Sequence, residues 1–341
     1  MSGSIRVGIV GLGRLGKEYA RNLRFHVPDA ELVGACSLNA LEREWAKSEL
    51  AIPFVFDKYE DLLALKDLDA IFVISSTDMH AQHIKQAIQS GKHVFSEKPL
   101  AISIDACTEV CDLARSRPEL ITSVGFVRRF DESYQYAYQK IQSGVIGQPF
   151  LIRSQTVDKD AVAEFQIQYA RKSGGIFHDF NIHDIDLTRW LMGAEFTKVT
   201  AMGGAYKYPA FAKFKDADNV LTSCELANGS MAIIGASRTA MHGHDTYTEI
   251  VGTEGTLRIG RPAQQHHVEI MDAQGIRREV VATFWERFEA AFLMMTRDFI
   301  DCVRTGRKPT TTLENARKAT EVAIAFSDSF AQSQTVSLIQ P

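Results

Sequence analysis

The run "IRVGIVG" (5–11) opens into "GLGRLG", so Gly11, Gly13 and Gly16 form a G-x-G-x-x-G pattern directly behind a β-branched stretch. Residues with helical apolar recurrence, "RLGKEYARNLRF" (14–25), follow at once. Strand, glycine turn and helix in this order admit few folds. The glycines permit a tight turn and close backbone approach, and the helix start offers unpaired N–H groups to a pyrophosphate. Alone the pattern is weak. Within a first strand–helix unit it marks a dinucleotide loop made by Gly11, Leu12, Gly13, Arg14, Leu15 and Gly16.

The alternation continues. Strands are expected at 30–36, 53–57, 69–75, 93–97 and 121–126, with helices at 39–50, 59–66, 80–90 and 103–116 between them. Strands separated by helices imply βαβ units and a doubly wound parallel sheet of Rossmann type. Residues 1–126 are therefore the expected dinucleotide-binding domain, because 341 residues exceed the usual single core. Beyond 127 the rhythm changes. A helix at 131–143 and a strand at 150–157 precede a helix through "GGIFHDFNIHDIDLTRWLMG" (174–193). Seven strand-like runs between 198 and 283 then follow one another, several separated by "ANGS", "GTEGT" and "DAQG", and helices at 285–304 and 313–331 close the chain. Residues 127–341 are expected to form an α+β substrate domain on a large, mostly antiparallel open sheet. Its uncovered face suits subunit contact, so a homo-oligomer is expected.

The totals exclude other classes. A net charge of −4 gives no basic field for nucleic acid. The longest apolar run, Ala70 to Ile74, is far below a membrane span, and the strand-like start leaves no room for a signal peptide, so a cytoplasmic location is expected. The cysteines at 36, 107, 111, 224 and 302 form no C-x-x-C cluster and read as small buried hydrophobes.

Where the second strand ends, an NAD site usually carries Asp or Glu for the ribose hydroxyls. Here Ser37 stands in "ACSLN". The missing charge removes repulsion against a 2′-phosphate, which Arg14 could attract, yet Ser37 can still bond a ribose hydroxyl. NAD is the expected cofactor, with room left for NADP. At the carboxyl end of a further sheet strand, "SEKPL" (96–100) places Lys98 to donate over the nicotinamide end.

"VGIVGLGRLG", "SSTDMH", "FSEKPL", "VGFVRRFD" and "GGIFHDFNIHDIDLTRWLMG" together resemble the glucose-fructose oxidoreductase, inositol dehydrogenase and MocA-like family, in its order and across both halves. The resemblance is nearest to bacterial inositol 2-dehydrogenases. It implies NAD-dependent oxidation of a secondary alcohol of a cyclic polyol, in a Rossmann-plus-open-sheet protein that is commonly a tetramer. Carried over by motif, Lys98, Asp179 and His183 are the catalytic set and Arg128 stands beside the sugar. Ser75, Ser76, Thr77 and His80 line the cofactor, and Glu97 is the motif glutamate. "HGHD" (242–245) and "TVDKD" (156–160) depart from several myo-inositol enzymes. They leave His244 and Asp158 as candidate polyol contacts and the polyol open, with pyranose sugar dehydrogenase or NAD-dependent glycosidase as alternatives.

Within 174–186 the histidines and aspartates lack metal-ligand spacing, and no third ligand accompanies Asp179 and His183, so no metal is expected. At i, i+4 on a helix these two are neighbours. An imidazole with a carboxylate partner suits general-base work, because its ordinary pKa lies near working pH. Asp184 reads as a surface or helix-start charge, and Phe180, Leu187 and Leu191 as inward-facing.

Overall fold

The computed structural model describes residues 3–260 and 264–338. The chain divides into two compact units, Met1–Phe130 with Ala290–Thr320 and Asp131–Glu289 with Glu321–Pro341. The first alternates β1 (Ile5–Val10), α1 (Arg14–Phe25), β2 (Ala30–Cys36), α2 (Ala40–Leu50), β3 (Phe54–Phe56), α3 (Tyr59–Leu63), β4 (Ala70–Val73), α4 (His80–Gln89), β5 (His93–Ser96), α5 (Ile104–Arg115) and β6 (Thr122–Val124). The sheet order is β3-β2-β1-β4-β5-β6, and each pairing is parallel. Order reverses between β1 and β4, so the carboxyl ends of these strands flank the crevice in which such sheets bind ligands. Every residue of β4 is buried, as a sheet covered on both faces requires.

Two of the helices expected in this unit, at 39 and 103, begin one residue later. Asn39 accepts from the Leu41 amide and Ser103 from the Ala106 amide, so both are extended caps outside the helix. Residues 290–320 join this unit because Phe292 and Phe299 pack on its aromatic core. Tyr19 meets Phe292 at 5.7 Å, and Phe72 and Phe95 meet Phe299 at 5.3 and 5.8 Å between ring centroids.

The second unit begins with α6 (Glu132–Gln142), capped by Asp131, then β7 (Pro149–Lys159), α7 (Ala163–Ser173) and α8 (Ile182–Met192). It continues with β8 (Phe196–Gly204), β9 (Asn219–Leu226), β10 (Met231–Ala240), β11 (Asp245–Gly252) and β12 (Thr256–Ile259). β13 (Gln264–Asp272), β14 (Gly275–Val280), α9 (Phe284–Thr305), α10 (Leu313–Gln332) and β15 (Val336–Ser337) complete the chain. The large sheet runs β12-β11-β7-β10-β9-β8-β15, antiparallel throughout except for the parallel pair β7 and β10. β9 and β10 alternate buried and open residues, leaving Met202, Leu221, Met231 and Ile233 exposed on strands of this sheet.

Several local features differ from the sequence reading, among them β15, which follows the last expected helix and pairs with β8. β13 and β14 form a separate two-stranded hairpin, because they pair with each other and not with the large sheet. α7 was unforeseen. The stretch expected as one helix instead opens with a π-helical turn, Phe177–Asn181, before α8.

Phe299 is fully buried. Phe299→Ala is expected to cost about 3–5 kcal/mol of stability, measured by urea unfolding. A loss below about 1 kcal/mol would show that the aromatic core does not hold residues 290–320.

Candidate active site

The nucleotide loops are built by backbone geometry. Gly11 has φ of +94°, and a Cβ there would stand 2.3 Å from the Ile74 carbonyl oxygen. A Cβ on Gly16 would stand 2.0 Å from the Gly11 oxygen, so α1 closes on the turn with no room for a methyl group. Around Gly13 there is open space instead. Tight turn, close packing and an open glycine at a helix start are the three conditions for a pyrophosphate cradle, and the loop fits a dinucleotide. Leu12 is buried and anchors the loop, while Arg14 is exposed and Leu15 half-buried.

Ser37 lies beside this cradle: the Gly11 amide donates to the Cys36 carbonyl at 2.9 Å. The Ser37 hydroxyl donates to Glu42 Oε2 at 2.5 Å. Glu42 was missed by the sequence reading; its signal is an acidic residue in the first turn after β2.

After β4, Ser75 and Ser76 are half-buried and Thr77 is buried. His80, also buried, ties this loop to the one after β5, its Nδ1 lying 2.8 Å from the Pro99 oxygen and its Nε2 3.0 Å from the Ser75 oxygen. The Glu97 carboxyl turns inward, accepting from Tyr19 Oη at 2.5 Å and from the Lys98 amide at 2.9 Å. Burial pushes this carboxyl above the usual carboxylate range, against the pull of Lys98. Tyr19 and Glu97 therefore hold the backbone from which the half-buried Lys98 projects. Arg128 is buried in a short 3-10 turn, Val127–Phe130.

In the second unit, Gly174 and Gly175 adopt left-handed conformations, and the Ile176 amide donates to Asp216 Oδ1 at 2.9 Å. Asp216 is paired at 2.6 Å with Arg238, which is fully buried and lies over Phe211 and Phe180. This buried pair pins the entrance to the π turn. Such turns are rare and occur most often at functional sites. From Ile176 to Arg189 every residue is buried except Asp179 and His183, which are half-open.

Asp184, expected as a surface or helix-start charge, stands in the first turn of α8 but not at the surface. It is fully buried and accepts from Ser154 Oγ and Thr156 Oγ1, both at 2.7 Å, and from Asn181 Nδ2 at 3.4 Å. The polar side chains of β7 face α8, which draws the acid inward. His244 and Asp158 are brought together, with Nδ1 3.6 Å from Oδ1, and Gln166 donates to Asp158 at 3.0 Å. His244 is buried and flanked by Phe284 and Phe288. Among the described residues, no group of three or more His, Cys, Asp or Glu is arranged to hold a metal, and no helix is long and apolar enough to cross a membrane. All five cysteines are buried and free.

Residues 5–126 match the model of an oxidoreductase family with an NAD-binding Rossmann fold, and residues 134–258 match the GFO/IDH/MocA C-terminal domain. Over 99% of the chain and 97% of the relative, it is 35% identical to scyllo-inositol 2-dehydrogenase (NAD(+)) of Bacillus subtilis (strain 168). The chain belongs to the GFO/IDH/MocA family. Among solved members of that family, scyllo-inositol dehydrogenase from Lactobacillus casei with bound NAD(H) and scyllo-inositol superposes with a TM-score of 0.94, at 38% identity over 98% of this chain and 99% of that one. Myo-inositol 2-dehydrogenase from Lactobacillus plantarum gives 0.96 at 32% identity over 98% and 100%. The protein is thus an oxidoreductase that uses NAD, with a Rossmann unit followed by the family's C-terminal domain.

Burial lowers His83 and His178 from the ordinary 6.5 to about 4. Both rings stay neutral in the fold over a range where the unfolded chain takes up protons, so stability falls as pH drops from about 6.5 toward 4. Thermal melting followed across that window should show the fall, and His83→Asn should flatten it. Parallel curves for parent and variant would remove His83 as a cause.

Proposed function

We propose that this enzyme is an inositol 2-dehydrogenase, oxidising a secondary alcohol of scyllo- or myo-inositol to the inosose, with Lys98, Asp179 and His183 as its catalytic residues. The observation that carries the reading is the pair Asp179 and His183, left half-open in a run that is otherwise buried from Ile176 to Arg189. The two open positions of this run are an acid and a base, the pair that proton transfer requires. The full-length likeness to enzymes named for inositol oxidation supports the substrate class.

A nicotinamide held by the glycine loop would supply the hydride acceptor. His183 takes the hydroxyl proton as the carbonyl forms, the general-base role that an imidazole most often fills. The Lys98 ammonium steadies negative charge developing on the substrate oxygen. Asp179 favours the imidazolium that results and orients ring or substrate. Arg128, Asp158 and His244 contact the polyol, and Ser75, Ser76, Thr77 and His80 line the cofactor. Glu97 acts through the Lys98 backbone. The first unit, 1–130 with 290–320, serves the dinucleotide, and the second, 131–289 with 321–341, serves substrate and assembly.

The same reading makes the protein a cytoplasmic homotetramer of inositol catabolism. The exposed Met202, Leu221, Met231 and Ile233 on the large sheet support subunit contact there, and light scattering in solution checks it.

NADH formation is expected with scyllo- or myo-inositol and not with aldoses or aryl glycosides; turnover restricted to a pyranose or a glycoside would replace the assignment. His183→Ala should lower kcat by about 10² to 10⁴ while leaving NADH affinity nearly intact, and an unchanged kcat would refute the base. Lys98→Met should lose catalysis and keep its melting temperature; full activity would remove Lys98 from the reaction.

A further inference from the structure

We infer that Glu42, acting through Ser37, is the residue that selects NAD over NADP in this chain. The inference deepens the dehydrogenase reading and rests on it only for the use of a nicotinamide cofactor.

Ser37 occupies the end of β2, where an acidic residue ordinarily receives the ribose hydroxyls. A serine alone would be neutral toward a 2′-phosphate. The structure supplies the missing charge from the next helix. Ser37 is buried, and its hydroxyl donates to Glu42 Oε2 at 2.5 Å. The Asn39 amide donates to the same Ser37 oxygen at 3.1 Å. A hydroxyl carries one proton, and here it is committed to Glu42. The Ser37 oxygen and the Glu42 carboxylate are therefore left as acceptors just after β2, where such folds hold the ribose. Ribose hydroxyls bring protons and satisfy both. A 2′-phosphate brings further acceptor oxygens and negative charge, and is repelled.

Two cations oppose this. Arg14 is exposed on the glycine loop. Arg43 is nearer, and its Nη1 donates to the carbonyls of Ser37 at 2.8 Å and Leu38 at 3.0 Å. One end of its guanidinium is thus engaged in holding the loop that bears Ser37. Glu42 sits in the first turn of α2, where the positive helix end favours a carboxylate. Arg43 bonds only backbone carbonyls, whereas the carboxylate is bonded to the Ser37 hydroxyl, so it sets the preference.

The test is direct binding of NADH and NADPH by nicotinamide fluorescence, with no polyol present, for the parent, Glu42→Gln and the double variant Ser37→Asp with Glu42→Gln. The parent should bind NADH more tightly. Glu42→Gln keeps the shape and removes the charge, so the ratio of NADPH to NADH dissociation constants should fall by about tenfold or more. The double variant, with an acid restored at the strand end, should return toward the parent ratio. A parent that prefers NADPH, a Glu42→Gln ratio equal to the parent's, or a double variant as permissive as Glu42→Gln would each overturn the inference. Because no polyol is involved, failure here leaves the inositol assignment intact, and failure of the substrate screen leaves these binding constants unaffected.

Discussion

The nucleotide half of the molecule depends on the contact between Gly16 and the Gly11 carbonyl. The space a Cβ would need at Gly16 is already occupied, at 2.0 Å, by that oxygen. This approach lets α1 start directly over the end of β1. Its first amides then point into the crevice where the order of strands reverses, and Gly13 is left open in front of them. The loops after β2, β4 and β5 end at the same edge of the sheet because all six strands run parallel. Ser37, Ser75 and Lys98 are far apart in the chain, yet parallel pairing brings their loops to one side. Their fine placement is held by hydrogen bonds from neighbouring side chains: Glu42 on Ser37, His80 between Ser75 and Pro99, and Tyr19 with Glu97 beneath Lys98.

The second unit solves a different problem. A π turn and a half-open acid and base must be held in a run, 176–189, whose other residues are buried. Two buried carboxylates do this. Asp216, paired with Arg238, fixes the turn's entrance. Asp184, held by hydroxyls from β7 and the Asn181 amide, fixes α8 on the sheet. Hydrogen bonds to a charged group contribute about 1.5–3 kcal/mol each, and a buried carboxylate left without them would be strongly destabilising. Regular packing of α8 and the sheet is thus coupled to complete hydrogen bonding around Asp184.

Much of this was legible before any coordinates. Period and turn chemistry are local, so the alternating strands and helices of the first 126 residues, the glycine loop, and β7 to β14 of the second half emerge from neighbours a few positions apart. Motif residues with a set place after a strand, such as Lys98, were legible for the same reason. Tertiary structure decided whatever depends on distant surfaces meeting. The aromatic core claims residues 290–320 for the first unit, β13 and β14 pair apart from the large sheet, and hydroxyls on β7 turn Asp184 inward where sequence alone places it at the surface. It also carried Glu42 back onto Ser37, giving a site that reads as uncharged along the chain a carboxylate in space. Local pattern specifies which elements form; which side chains face one another is settled only when those elements pack.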